Sequence, residues 1–210
     1  MLLSPERYKE TYLLGKDADG VKREIDALRR GIANLKHKIE SPSFVLDETG
    51  RAGYEAELSA AREYLSAAKA TLYELCAESY ESEEESAARF INERLSSVRV
   101  VDLTIGVYLT MRHTLTIAGD EAVLRVSELH GDDVEVRMES ERVLEAISAL
   151  CLGEWRDAYL PEQYGCSMSE PERWHVRIEF SDGGAPLFYD GVGVYPYNFK
   201  AFCHVMGVER

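Results

Sequence analysis

The residues of this 210-residue chain that could do chemistry are few and scattered. Cysteine meets histidine only at Cys203-His204, and Cys166 stands nine residues before His175. Structural zinc sites draw their ligands from tighter pairs. These residues therefore read as ordinary side chains, His204 on a helix and His175 on the exposed face of a strand. Asp17-Ala18-Asp19-Gly20 is similar to part of a calcium loop. With Gly20 at its sixth position, however, Gly15 would fall where the first carboxylate belongs and Asp26 where a bidentate Glu is preferred. A capped turn between two helices fits better. Gly191-Val192-Gly193 lacks the third glycine of a dinucleotide fingerprint, and its glycines suit a backbone that bends away from a sheet. The chain contains no Gly-x-Ser-x-Gly, no His-Glu-x-x-His and no Gly-Lys-Ser/Thr. Carboxylates are too abundant for any pair to stand out as acid and base. No catalytic residue, cofactor or metal site is therefore expected. A small cytoplasmic hydrolase with an unrecognised active site remains the alternative to a binding function.

Surface chemistry is what is left. The chain has 24 Lys+Arg against 38 Asp+Glu, a net charge of −14. Residues 1–100 carry −4 of it (15 basic, 19 acidic) and residues 101–210 carry −10 (9 basic, 19 acidic). Such an excess repels a phosphate backbone, so direct nucleic-acid binding is not expected. It suits solubility, or a basic partner surface. Glu81, Glu83, Glu84 and Glu85 form the densest acidic run, which reads either as a solvated face or as contact surface for such a partner. Eleven of the 20 aromatic residues fall within 155–202. They can fill the core of a small sheet-and-helix layer. Alternatively Tyr189, Tyr195 and Tyr197 leave an amphipathic surface of the kind that dominates protein interfaces. The basic side chains between Lys22 and Lys38 are interrupted by Glu24 and Asp26 and read as a salt-bridged face. No apolar run is long enough to span a membrane. Four cysteines without a Cys-x-x-Cys pair, and an N-terminus unlike a signal peptide, suggest a reducing cytoplasm.

These residues must be positioned by two kinds of element. Ser4-Pro5 starts a short helix that should end near Gly15. Val21, Ile25, Leu28, Ile32, Leu35 and Ile39 follow at spacings of 4, 3, 4, 3 and 4, an a/d stripe. Ser41-Pro42 stops it, and a loop from Ser43 to Gly50 reverses the chain. A second stripe then runs through Tyr54, Leu58, Ala61, Leu65, Ala68, Leu72 and Leu75. Together they predict an antiparallel, coiled-coil-like helical hairpin. One partner helix does not cover so apolar a stripe, which predicts self-association through Val21, Ile25, Leu28, Ile32, Leu35 and Ile39 in a homodimer. The competing reading packs the first helix, or the sheet, on the same stripe. A short helix with Ala87, Phe90, Ile91 and Leu95 on its apolar face closes this half.

From Val98 the period changes to two. Val98–Leu109, Thr114–Ile117, Ala122–Ser127 and Val134–Met138 read as an antiparallel meander, the last strand preceded by Asp132-Asp133. A helix with Val143, Leu144, Ile147 and Leu150 on one face follows. Trp174–Phe180 alternates without a fault, Ser181-Asp182-Gly183-Gly184 turns the chain, and Leu187-Phe188-Tyr189 begins the return strand. Phe199, Phe202 and Val205 give a last helix ending at Gly207. The predicted class is α+β, with a helical hairpin region over 1–96 and, over 97–210, an antiparallel sheet with helices on one face.

The run Trp155-x-x-x-Tyr159, Trp174-x-Val176-x-Ile178-x-Phe180-x-Asp182-Gly183 and Gly191-x-Gly193-x-Tyr195-Pro196 resembles an uncharacterised domain of Gram-positive bacterial and mobile-element proteins. It covers about residues 98–206 and departs from that pattern at Gly193, where the domain has Asn. The resemblance implies a bacterial or phage cytoplasmic setting and carries no activity with it. The function expected is a non-enzymatic protein–protein interaction module, in its sharper form an acidic inhibitor of a host nuclease or defence protein.

Overall fold

The computed structural model describes residues 2–42, 48–108, 110–128 and 133–209, and the statements below concern these residues. The chain divides into two compact units, Met1–Ser82 and Glu83–Arg210.

The first unit is helical. Ser4 caps α1 (Pro5–Tyr8) by accepting from the Arg7 N–H, and a π-helical turn, Lys9–Leu13, follows. Asp17 accepts from the Gly20 N–H at 2.8 Å and so caps α2 (Ala18–Glu40). The acidic string before Val21 is thus a helix start. α3 runs Glu48–Cys76; of the expected reversing loop, 43–47 lie outside the described residues. Val21 and Ile25 near the start of α2 share a core with Ala68 and Leu72 near the end of α3. The Lys38 ammonium, near the end of α2, lies 5.2 Å from the ring centre of Tyr54, near the start of α3. Tyr8 and Leu13 complete that core. The first helix and its π turn therefore cover the head of the apolar stripe, the arrangement that competes with self-association there.

One carboxylate ties this corner together. Glu24 accepts from the Tyr8 hydroxyl at 2.6 Å and from Lys16 Nζ at 2.8 Å. Burial pushes Glu24 up, but the hydrogen bonds from Lys16 and Tyr8 outweigh it and hold the carboxyl below its usual range. Burial first, and the Glu24 carboxylate second, push the Tyr8 hydroxyl well up, so it stays a donor. Tyr8 also stacks on Tyr64 at 4.3 Å.

The second unit begins with α4 (Glu83–Arg94) and continues as β1 (Val98–Gly106), β2 (Met111–Ala118), β3 (Glu121–Glu128), β4 (Val134–Glu139), α5 (Ser140–Ala149), β5 (Ala158–Tyr159), β6 (Arg173–Phe180), β7 (Leu187–Val192) and α6 (Phe199–Val205). Leu109 and Asp132 lie outside the described residues. The change of period at Val98 marks where helix gives way to strand, whereas the compact units divide before α4. α4 packs on the second unit because Gly153 admits it. A Cβ there would stand 2.3 Å from the Ala88 carbonyl oxygen, and the Gly153 N–H reaches Asn92 Oδ1 at 2.8 Å.

The sheet has the order β4-β3-β2-β1-β6-β7-β5 and is antiparallel except where β5 meets β7. Alternation gives it one apolar face. Val101, Leu103, Leu115, Val176 and Ile178 lie there, and the core they join includes Val143 and Ile147 of α5 and Phe199 and Phe202 of α6. The other face is a polar lattice of cross-strand pairs, among them Arg112–Asp102, Arg125–Glu135 and Arg137–Glu121. Trp174 and Ile178 are fully buried and Arg177 is exposed, as the faultless alternation predicts. Ile178→Ala should cost about 2–5 kcal/mol in a chemical-denaturation titration.

One polar side chain breaks the apolar face. His113, opposite Leu103, is 1% exposed, and neither ring nitrogen has a hydrogen-bond partner; the Met206 backbone lies near without meeting hydrogen-bond geometry. Burial disfavours the imidazolium and holds the folded pKa below 6.5. The unfolded chain therefore takes up the proton first as pH falls through about 6.5, and stability drops on the acid side. Melting temperatures of the wild type and His113→Leu, compared from pH 8 to pH 5, should show the wild type losing more.

Candidate functional site

β7 pairs with β6 along its whole length but with β5 only at Asp190 and Gly191. The Asp190 N–H donates to the Asp157 carbonyl at 3.0 Å, away from β6. Antiparallel hydrogen bonding alternates along a strand, so Phe188, two residues earlier, also turns its N–H and C=O away from β6. β5 does not reach that far. Phe188 therefore offers one donor and one acceptor at an open edge, and its side chain is 57% exposed.

A cleft of about 400 Å³ runs beside this edge, lined by Ile91, Trp155, Asp157, Pro186, Phe188 and Asp190 among others. Its walls are held from within the unit. Arg94 of α4 donates to Asp182 at 3.2 Å and to the Ala185 carbonyl at 3.3 Å, and stacks 3.9 Å from the Phe180 ring centre. That fixes the turn leading into Pro186. The Trp155 Nε1–H donates to Asn198 Oδ1 at 2.7 Å, and its ring meets Trp174 and Tyr189 edge-on at 6.1 and 5.2 Å. Two carboxylates bound the cleft. Asp157 is exposed, and Asp190 pairs with His175 Nδ1.

The tyrosines singled out for partner binding are placed differently from one another. Tyr189 is 3% exposed and donates to the Leu152 carbonyl at 3.0 Å; Tyr197 is 6% exposed and donates to Glu154 at 2.9 Å. Both spend their area inside the fold. Tyr195 is half-buried and donates to Glu172 at 2.7 Å, and burial pushes its hydroxyl up to about 12. Glu83, Glu84 and Glu85 occupy the first turn of α4, where carboxylates complement the helix dipole, and Glu81 lies just before it, exposed. In the helical stripe Val21, Ile25 and Ile39 are buried, while Leu28, Ile32 and Leu35 are half-buried.

The sulfur and imidazole groups do not converge. Cys203 is buried and His204 exposed, since adjacent helical residues point in different directions, and Cys166 Sγ contacts the Pro161 carbonyl. Among the described residues no three metal-ligating side chains come together. The His175–Asp190 pair lies on the polar sheet face with both side chains about half exposed, at 51% and 54%, and Thr104 directly across from His175. Water screens such a pair.

Sequence reasoning placed Phe188 in a strand without marking it. The available signal was a phase error: Leu187 and Tyr189 face the core, so a large apolar residue between them faces outward. The openness of the edge had no such signal, because it depends on where β5 ends. No family model, curated protein or solved structure matches the chain.

Gly191 is the residue on which the cleft wall rests. A Cβ there would stand 2.2 Å from the Trp174 indole, directly across the strand pair. Gly191→Ala should lower stability by about 1–3 kcal/mol through overpacking. Its near-ultraviolet circular dichroism should lose tryptophan intensity, because the indole has to shift.

Proposed function

We propose that this chain is a non-enzymatic protein-interaction module whose second unit captures an extended, basic segment of a partner by adding it to β7. The observation that carries the reading is the outward N–H and C=O of Phe188 beside an apolar cleft. Strand addition draws affinity from main-chain hydrogen bonds and specificity from pockets for alternate side chains. Here one side of an added strand would meet Ile91 and Trp155, and the other Phe188. Asp157 and Asp190 favour Lys or Arg in the segment, in keeping with the net charge of −10 over residues 101–210. A basic host nuclease or defence protein inhibited by this chain is one partner of that chemistry. In the same reading the first unit is an antiparallel helical hairpin that acts as a spacer, its long arms made by α2 and α3. Among the described residues no helix is long and apolar enough to cross a membrane.

A displayed library of random 12-residue peptides, selected on the full chain, tests this. Selected peptides should alternate apolar residues with Lys or Arg and bind more weakly as salt rises. Phe188→Pro removes the outward N–H and the exposed ring but no bond to β6, so it should leave the melting transition in place and weaken binding at least about tenfold, whereas Phe188→Ala, which keeps the N–H, should weaken it less. Peptides indifferent to Phe188→Pro, or no peptides above background, would reject the reading.

A further inference from the structure

The opposite edge of the sheet is open as well, and its sequence is complementary to itself. β4 is the terminal strand of the order, paired with β3 alone. The Ser140 N–H donates to the Asp120 carbonyl, which continues the β3–β4 ladder by one residue. By alternation Met138, Val136 and Val134 bond to β3, while Glu139, Arg137, Glu135 and Asp133 turn their N–H and C=O outward. The apolar face does not close over this strand either. Val134 and Val136 pair with Val126 and Leu124 and so lie on the core face, yet they are 56% and 45% exposed. The strand has no proline or lysine, and its charges, Glu135, Arg137 and Glu139, alternate with exposed valines, so they guard it against strands whose charges do not answer theirs.

We propose that the occupant is a second copy of this chain, joined β4 to β4 in antiparallel register about a two-fold axis at Val136. Hydrogen-bond parity allows only registers in which outward residues face outward residues. Centred on Val136, the whole strand pairs. Glu135 stands opposite Arg137 of the partner subunit, and the reverse, on the polar face. On the apolar face Val136 meets its own symmetry mate and Val134 meets Met138 of the partner subunit. Centring on Arg137 opposes Arg137 to itself and Glu135 to Glu139. Centring on Glu135 opposes Glu135 to itself at the two-fold axis. The Val136 register has one unfavourable feature, Asp133 opposite Glu139 at each end, where solvent screens the repulsion. A closed two-fold pairing covers the β4 edges of both copies at once and leaves no free β4 strand to propagate.

Light scattering at about 100 μM should give twice the single-chain mass of 23.7 kDa, since association follows concentration. Arg137→Pro removes an outward N–H and no β3–β4 backbone hydrogen bond; the Arg137–Glu121 ion pair it also removes is exposed and contributes little to stability. It should return the mass to one chain with the melting transition retained. Asp133→Lys turns the two end repulsions into attractions and should tighten the dimer about three- to tenfold. In the wild type the Glu135 and Arg137 amides should exchange slowly at high concentration and fast on dilution, although neither bonds to β3. A single-chain mass at the higher concentration would overturn the proposal. So would a doubled mass that survives Arg137→Pro, or one that Ile32→Asp on the helical stripe abolishes while Arg137→Pro does not. If Arg137→Pro unfolds, the amides decide alone, and fast exchange of Glu135 and Arg137 in a doubled species rejects β4 pairing.

Discussion

The Trp174 indole occupies the place where a side chain on Gly191 would stand. Much of the second unit follows from that contact. It fixes the register of β6 and β7, because only a glycine can stand opposite so large a ring at this distance. The indole Nε1–H is satisfied by the Val194 carbonyl at 2.8 Å, which draws the chain off the sheet just after β7. Trp155, Tyr159 and Phe199 pack around the same ring. Aromatic pairs of this kind add to the burial of their own area. The register then decides which backbone groups of β7 face β6 and which face out.

The two faces of the sheet obey different physics. Behind it, the apolar side chains exclude water and carry the stability of the unit. In front, arginines and carboxylates alternate across strands, so the charge of one strand is answered by the next. Such exposed pairs contribute little to stability. In the proposed pairings their effect is on association, since they set which strand can approach an edge and in which register. The edges at β4 and β7 differ in this respect. β4 carries both signs of charge, whereas the β7 edge is bounded by the two carboxylates of Asp157 and Asp190.

His113 and Glu24 show the two ways in which a buried polar group is tolerated here. Glu24 is anchored by Lys16 and Tyr8, so its charge is compensated and it joins α1 to α2. His113 has no such anchor, and burial disfavours its charged form, at a cost in stability that rises as its proton becomes available. One is a structural tie, the other a weak point in the core.

The amino-acid sequence by itself determined the local structure. Spacings of three and four over Val21–Ile39 and Tyr54–Leu75 made helices, and the strict alternation of Trp174–Phe180 made a strand with a known inner face. The caps at Ser4 and Asp17 were readable for the same reason: each depends on neighbours within one turn of chain. The α+β class follows from these local periods. What only the tertiary structure decided depends on contacts between distant residues. The placement of α4 with the sheet needed Gly153 beneath Ala88, 65 residues earlier. Tyr189 and Tyr197 went inside because Leu152 and Glu154 offered acceptors to their hydroxyls, and no pattern in the tyrosines themselves reveals that. The open edge at Phe188 exists because β5 is two residues long, and the valines of β4 are exposed because none of the described helices covers them. Period tells a residue which face it is on; only packing tells it whether that face is covered.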